Sequence, residues 1–304
     1  MRGWTHGCRM ATEAAAPLVA LAPSVARRTT PLWRRALRNP RIAIGGTVLL
    51  LFFLMAIFAP FIAPGDPTRQ HPQQRLAAPS AVYPLGTDEF GRDLLSRLIY
   101  GSRVSLEVAF GSIAVAVILG VTIGLVGGYF GRAWETVTMR LMDVLLAFPP
   151  ILLAIAVVAF LGPGVRNLVI VIGILYTPRF ARLVHASTLS ERTREYIEAA
   201  RAMGARSPRI LMRGVLPNIL APIIVQVSLS LGFAILVESG LSFLGIGVRP
   251  PNPSWGLMIA TGRGYMSQSI WPILWPSVAI SLIILACNVL GDGLRDTLDP
   301  RLRR

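Results

Sequence analysis

The sequence predicts an all-α integral membrane protein with about six transmembrane helices, and three observations carry that reading. Hydrophobic residues make up 53% of the 304 positions and charged residues only 15%, with a mean hydropathy of +0.59; soluble domains average about 25% charged. Six apolar stretches approach or reach the roughly 20 residues that a hydrocarbon core of about 30 Å requires. The basic residues punctuate those stretches instead of forming one patch, which argues against nucleic acid as a partner despite a net charge of +15.

Residues 1–41 are polar and rich in Arg, Ala and Pro, and read as a partly disordered segment ahead of the first span. The transmembrane domain runs over 42–290, with spans at about 42–62, 104–126, 137–161, 168–183, 219–237 and 273–290; residues 291–304 form a tail. Prolines at 60, 64 and 67 end the first span. In the second, Gly120, Gly124 and Gly128 recur every four residues, a spacing that lets another helix approach closely. The third carries Asp143 and the pair Pro149–Pro150, which removes two successive backbone donors and predicts a kink. Pro222 and Pro276 read as first-turn prolines of the last two spans.

Placing the N-terminus inside assigns 22 of the 30 arginines to the inner segments and eight to the outer ones. The positive-inside rule therefore predicts N-in and C-in, which an even number of spans also requires.

No lysine occurs, so the chain cannot hold a phosphate-binding GxxxxGK[ST] loop and is not expected to hydrolyse ATP or perform lysine chemistry. Three scattered histidines and two distant cysteines offer no metal-ligand spacing, and Cys8 and Cys287 read as free thiols. No catalytic residue, metal site or bound cofactor is expected.

The segment 190–217 is the most informative. Ser190 reads as a helix cap; Tyr196, Ala199, Ala200 and Met203 fall on one stripe, opposite charged positions that include Glu195 and Arg194. Gly204 supplies a left-handed stop, and Ser207–Pro208 the start of a second short helix. Such a helix, turn and helix is either a docking device or an amphipathic element lying on lipid.

Elsewhere, Gly86–Asp93 packs Asp88, Glu89, Arg92 and Asp93 between Gly86 and the second span, either for contact with a partner or as a solvated turn and helix start with Thr87 or Asp88 as its cap. An intramembrane carboxylate costs about 2.5–3.5 kcal/mol at a helix centre, so Asp143 either pairs with Arg140 or a neighbouring arginine, or meets the transported solute. Glu238 lies near a span end, and the loop up to Trp255 reads as a plug near a gate or as a rigid loop with its Trp at the membrane interface.

Glu198-Ala199-Ala200, Gly204 four residues on, and the closing Leu216–Pro217 resemble the EAA loop of ABC importer permeases. The segments 86–101, 238–258 and 290–301 resemble one branch, the C-type subunit of the dipeptide, oligopeptide and nickel permeases. The resemblance implies the MetI-like permease fold in a bacterial cytoplasmic membrane. It also implies a homologous second permease subunit, two cytoplasmic ABC ATPase subunits carrying ATP and magnesium, and an extracytoplasmic solute-binding protein. Tyr196, Glu198, Ala199, Ala200, Met203, Gly204 and Pro217 would then form the ATPase-coupling loop. Gly86, Asp88, Glu89, Arg92 and Asp93 would face the partner or binding protein, and Asp143, Glu238 and Trp255 the pore or its gate. Peptides are the expected cargo; the alternatives are nickel or another solute, or a proton-coupled secondary transporter working through an intramembrane acid.

Overall fold

A computed structural model describes residues 38–298. The expected disordered segment therefore lies almost wholly outside the described residues. Within a bilayer every backbone polar group must be satisfied inside its own segment, which accounts for the helical architecture.

Helix α1 spans Pro40–Ile57, capped by Asn39, whose side chain accepts from the Arg41 amide, and a single turn, α2 (Ala59–Ile62), follows it. Helix α3 (Leu94–Phe130) is 37 residues long. It begins ten residues before the expected second span because the Asp93 carboxylate accepts from the Leu95 and Ser96 amides, and it stops at Gly131, whose φ is +62°. Next come α4 (Arg132–Ala147), α5 (Pro150–Leu161) and α6 (Val165–Glu191). The connecting elements are α7 (Glu195–Ala202) and α8 (Ser207–Ile210), which passes through a π-helical turn at Leu211–Val215 into α9 (Leu216–Phe243). A short α10 (Trp255–Gly262) precedes α11 (Trp271–Leu298).

The third span differs from expectation. It is not one kinked helix over 137–161 but two helices meeting at 91°, with Phe148 and Pro149 at the break. Whether that pair crosses the membrane follows from its neighbours. Gly111 lies against Val169, Gly120 against Thr177 and Phe180, Gly124 against Ala181 and Val184, and Gly128 against His185 and Thr188. The numbers rise together, so α3 and α6 run parallel. The chain between them must return across the same thickness, which makes α4 with α5 one broken crossing and gives six in all.

Helix α11 runs antiparallel to both α1 and α9: Gly45 meets Ala286 and Leu290, Gly293 meets Arg41 and Ile42, and Gly232 meets Ile284 and Cys287. Both described termini and the 192–206 segment therefore share one end of the bundle, here the terminal end. The connections 63–93 and 244–270 share the far end.

Three local expectations change. Pro222 and Pro276 are interior residues, because α9 and α11 begin at Leu216 and Trp271. Ser190 lies in the last turn of α6 and caps nothing. The tail expected from 291 is helical to Leu298, since Arg41 pairs with Asp296 at 2.7 Å and the Asn39 amide donates to the Gly293 carbonyl and the Thr297 hydroxyl.

A Cβ at Gly124 would lie 2.6 Å from the Ala181 oxygen and 2.7 Å from Val184 Cβ, whereas one at Gly240 would meet nothing within 4 Å. Gly124→Ala should therefore cost about 1–3 kcal/mol by overpacking, and Gly240→Ala less than about 0.5. Thermal unfolding of the two variants in one detergent checks the difference.

Candidate functional site

Helix α7 has eight residues and no side-chain cap at Arg194, too short to hold itself in water. Ile197 fastens it. This side chain is 1% exposed and joins Val184, Ile210, Val215 and Ile219 in a small apolar cluster at the terminal end. It fits because position 214 is glycine: a Cβ there would stand 2.9 Å from Ile197 Cδ1.

Tyr196 adds a polar tie. Its hydroxyl donates to Glu191 Oε2 at 2.5 Å and accepts from Asn218 Nδ2 at 2.9 Å, while the same Asn218 nitrogen donates to the Gly214 carbonyl at 2.7 Å. Partial burial, then the Glu191 carboxylate, push the phenol above its ordinary pKa. The turn closes as expected: Gly204 has φ +78°, its amide donates to the Arg201 carbonyl, and the Ala205 amide donates to Ala200. Ser207 and Pro208 are the first two residues of α8, and the capping position falls to Arg206, which makes no side-chain cap.

The expected apolar stripe does not face the protein. Ala199 and Met203 are exposed, Met203 to 81%, beside exposed Glu198, and Pro217 is exposed as well; Ala200 is half-buried and Tyr196 44% exposed. The inward residue, Ile197, went unread because one isoleucine between charged neighbours makes no stripe of its own.

At the far end, Gly86–Asp93 is folded inward. Asp88 Oδ1 accepts from the Phe90 and Arg92 amides, and its Oδ2 pairs with Arg92 Nε at 2.6 Å and Arg97 Nε at 3.2 Å. Arg92 also reaches Glu89 Oε1 at 3.1 Å, and Arg97 donates to the Pro67 carbonyl. All four side chains are buried, and burial, followed by the Asp88 charge, pushes the Glu89 carboxyl above its usual range. Gly86 (φ +86°) and Gly91 (φ +72°) make the turns, and a Cβ on Gly91 would strike the His71 carbonyl. The solvated turn is thus corrected to a buried ion network, and the capping residue is Asp93 rather than Thr87 or Asp88. Asp88, Glu89 and Arg92 offer no surface to a partner; Phe90, 48% exposed, is what this segment presents.

The residues expected at a pore or gate separate. Asp143 pairs with Arg182 of α6, not Arg140, at 2.5 Å, and both side chains are about half exposed. Glu238 is wholly buried and accepts from the Ser105, Ser239 and Ser242 hydroxyls at 3.1, 3.4 and 2.8 Å. Trp255 is also wholly buried, donates from Nε1 to the Leu98 carbonyl, and meets Phe52 edge-on. Neither an interfacial Trp nor a gate-facing Glu describes them; they bind α9 and α10 to α1 and α3.

The family profile of the binding-protein-dependent transport system inner membrane component matches residues 120–304, and that of the N-terminal TM domain of oligopeptide transport permease C matches residues 30–79. The chain belongs to this permease family. It is 45% identical to the dipeptide transport system permease protein DppC of Alkalihalophilus pseudofirmus, over 89% of this chain and 90% of that one. It is 46% identical to the di/tripeptide transport system permease protein DppC of Pseudomonas aeruginosa, over 86% and 88%. The glutathione transport system permease protein GsiD of Pectobacterium atrosepticum is 41% identical over the full length of both. An inward-facing structure of the MetNI methionine ABC transporter superposes with a TM-score of 0.54 at 20% identity, covering 66% of this chain and 96% of that one. The MetI-like permease fold expected from the sequence is therefore the observed one, and the chain is a multi-span transport component of an ABC importer.

For this permease, Ile197→Ala should loosen α7 without unfolding the bundle. Removing a buried isoleucine side chain beyond Cβ costs about 2–5 kcal/mol. Hydrogen exchange of the 197–205 amides should accelerate at least about tenfold while the α3 amides stay protected.

Proposed function

We propose that this permease forms half of the translocation path of an ATP-driven peptide importer, with α7, the Gly204 turn and α8 as the docking element for a cytoplasmic ATPase. The observation that carries the reading is an exposed face, Glu198, Ala199 and Met203, on a helix whose other side is fixed by buried Ile197, with the Tyr196 hydroxyl tying the edge of that face to Glu191 and Asn218. An element merely resting on lipid needs no such tie. Helix α8 continues through the π-helical turn into α9, so displacement of the docked element passes directly into a membrane helix.

The terminal end is cytoplasmic in this reading, because 20 of 30 arginines then lie inside even with Arg179 and Arg182 of α6 left out of the count. A homologous second permease completes the path, two ATPase subunits supply ATP and magnesium chemistry, and a solute-binding protein delivers cargo at the far end. This chain performs no covalent step. Peptide cargo is supported by the relatives named for dipeptides, tripeptides and glutathione.

Mild-detergent purification followed by mass spectrometry should recover a second six-span permease and two Walker-type ATPases, and vesicles holding the complex should take up peptide only with ATP. Uptake driven by a proton gradient after ATP depletion would instead establish a secondary transporter. Gly204→Val, which forces a β-branched residue to φ +78°, should lower peptide uptake at least about tenfold with the complex still present in the membrane. Undiminished uptake in that variant would remove the turn from the coupling element.

A further inference from the structure

Three exposed charged side chains lie on α4 and α6, and α6 packs against α4, α5 and α9. Asp143 of α4 and Arg182 of α6 neutralise each other at 2.5 Å. Arg179 precedes Arg182 by three residues, so the two share a face of the helix. It is exposed and has no carboxylate partner among the described residues.

Arg179 is nevertheless held in place. Its guanidinium lies 5.0 Å from the Tyr176 ring centroid and 5.8 Å from that of Phe233 on α9. Two aromatic faces thus fix the plane of the group and leave its N–H fork unused.

Arg179 lies near the middle of α6. Arg179 stands twelve residues before the end of α6 at Glu191 and fourteen after its start at Val165, about 18 and 21 Å of helix. Snorkelling moves a charge only by the length of its own side chain. An unpaired guanidinium at that position against hydrocarbon is costly, and such groups face protein or a water-filled cavity.

We propose that the surface carrying these three side chains is the wet wall of the passage and that Arg179 is a cargo-binding residue on it, receiving the C-terminal carboxylate of a peptide in transit. The proposal rests on the peptide-importer reading. A planar fork fits a carboxylate with two parallel hydrogen bonds. Asp143 leaves Arg182 neutralised, so the uncompensated charge of the trio sits on Arg179. The contact ignores side-chain identity, which suits a path that passes peptides of varied sequence.

The test uses the whole importer with its binding protein in proteoliposomes and compares a dipeptide with its C-terminal amide, each at a concentration that saturates the binding protein. The unaltered importer should move the free acid about tenfold faster than the amide, and Arg179→Gln should collapse that ratio by at least about fivefold, a difference read directly as lost binding to one group. Arg179→Lys should restore part of it, since the charge survives and the fork does not. Equal slowing of acid and amide, or no preference in the unaltered importer, overturns the proposal. So does failure of Arg179→Gln to assemble with the second permease where Arg179→Lys assembles, which would assign the residue to a carboxylate of that subunit. Absence of any ATP-dependent uptake by the unaltered importer would instead fell the peptide-importer reading and this proposal together.

Discussion

The architecture depends on the parallel contact between α3 and α6. Apolar side chains gain nothing by leaving lipid for protein, so helices in a bilayer are held by close packing, which small residues permit. Glycines supplied by both helices bring the backbones together: 111, 120, 124 and 128 from α3, and Gly173 from α6 against Val115. A parallel pair cannot be joined by a turn. The chain between them must cross back, and it does so as the broken α4 and α5. The same contact delivers the ends of α3 and α6 side by side, where Arg192 donates to the Gly128 carbonyl at 3.0 Å and the segment that carries α7 begins.

Much of this was legible in the sequence for a simple reason. A charge-free run long enough to span the bilayer is a local property, and a four-residue glycine repeat is one too. What a second element decides was not legible. Pro149–Pro150 announced an interruption, but the 91° angle is set by where α6 must begin. Gly204 was readable because a left-handed turn is written in one residue. Ile197 was not, because its importance lies in a missing side chain at Gly214, seventeen positions away. Asp88, Glu89 and Arg92 looked like a solvated turn since capping accounts for such residues; the burial depends on Arg97 of α3 and the Pro67 carbonyl closing over them. Glu238 and Trp255 were misplaced for the same reason: the serines and aromatic ring that enclose them come from α1, α3 and α9.

The two ends of the bundle are built on different physics. At the far end, buried charge and hydroxyl networks join the connections to the helices: Asp88 with Arg92 and Arg97, and Glu238 with its three serines. Breaking the Asp88–Arg92–Arg97 network leaves a buried charge uncompensated, at a cost of about 3–5 kcal/mol, and losing a serine leaves a Glu238 oxygen short of a donor, so these contacts resist gradual adjustment. At the terminal end a small apolar cluster and one tyrosine hold α7. Apolar contacts are non-directional, and a cluster of that kind can slide where an ion network must break.

A load applied to α7 therefore meets unequal resistance along its two routes into the bundle. Toward α6 the route is blocked, because Arg192 ties the end of that helix to α3 and the glycine seam locks the two along their length. Toward α9 the route passes through α8 and a π-helical turn, a wider hydrogen-bond pattern found frequently at functional sites. Motion of α7 is thus taken up as movement of α9 against a fixed α3–α6 block. The contact that such movement shears is the one where Phe233 of α9 faces Arg179 and Tyr176 of α6. The same displacement also releases one of the two aromatic faces holding Arg179, so that under the proposed roles docking at α7 would act on the one charge of Asp143, Arg179 and Arg182 that has no ion-pair partner among the described residues.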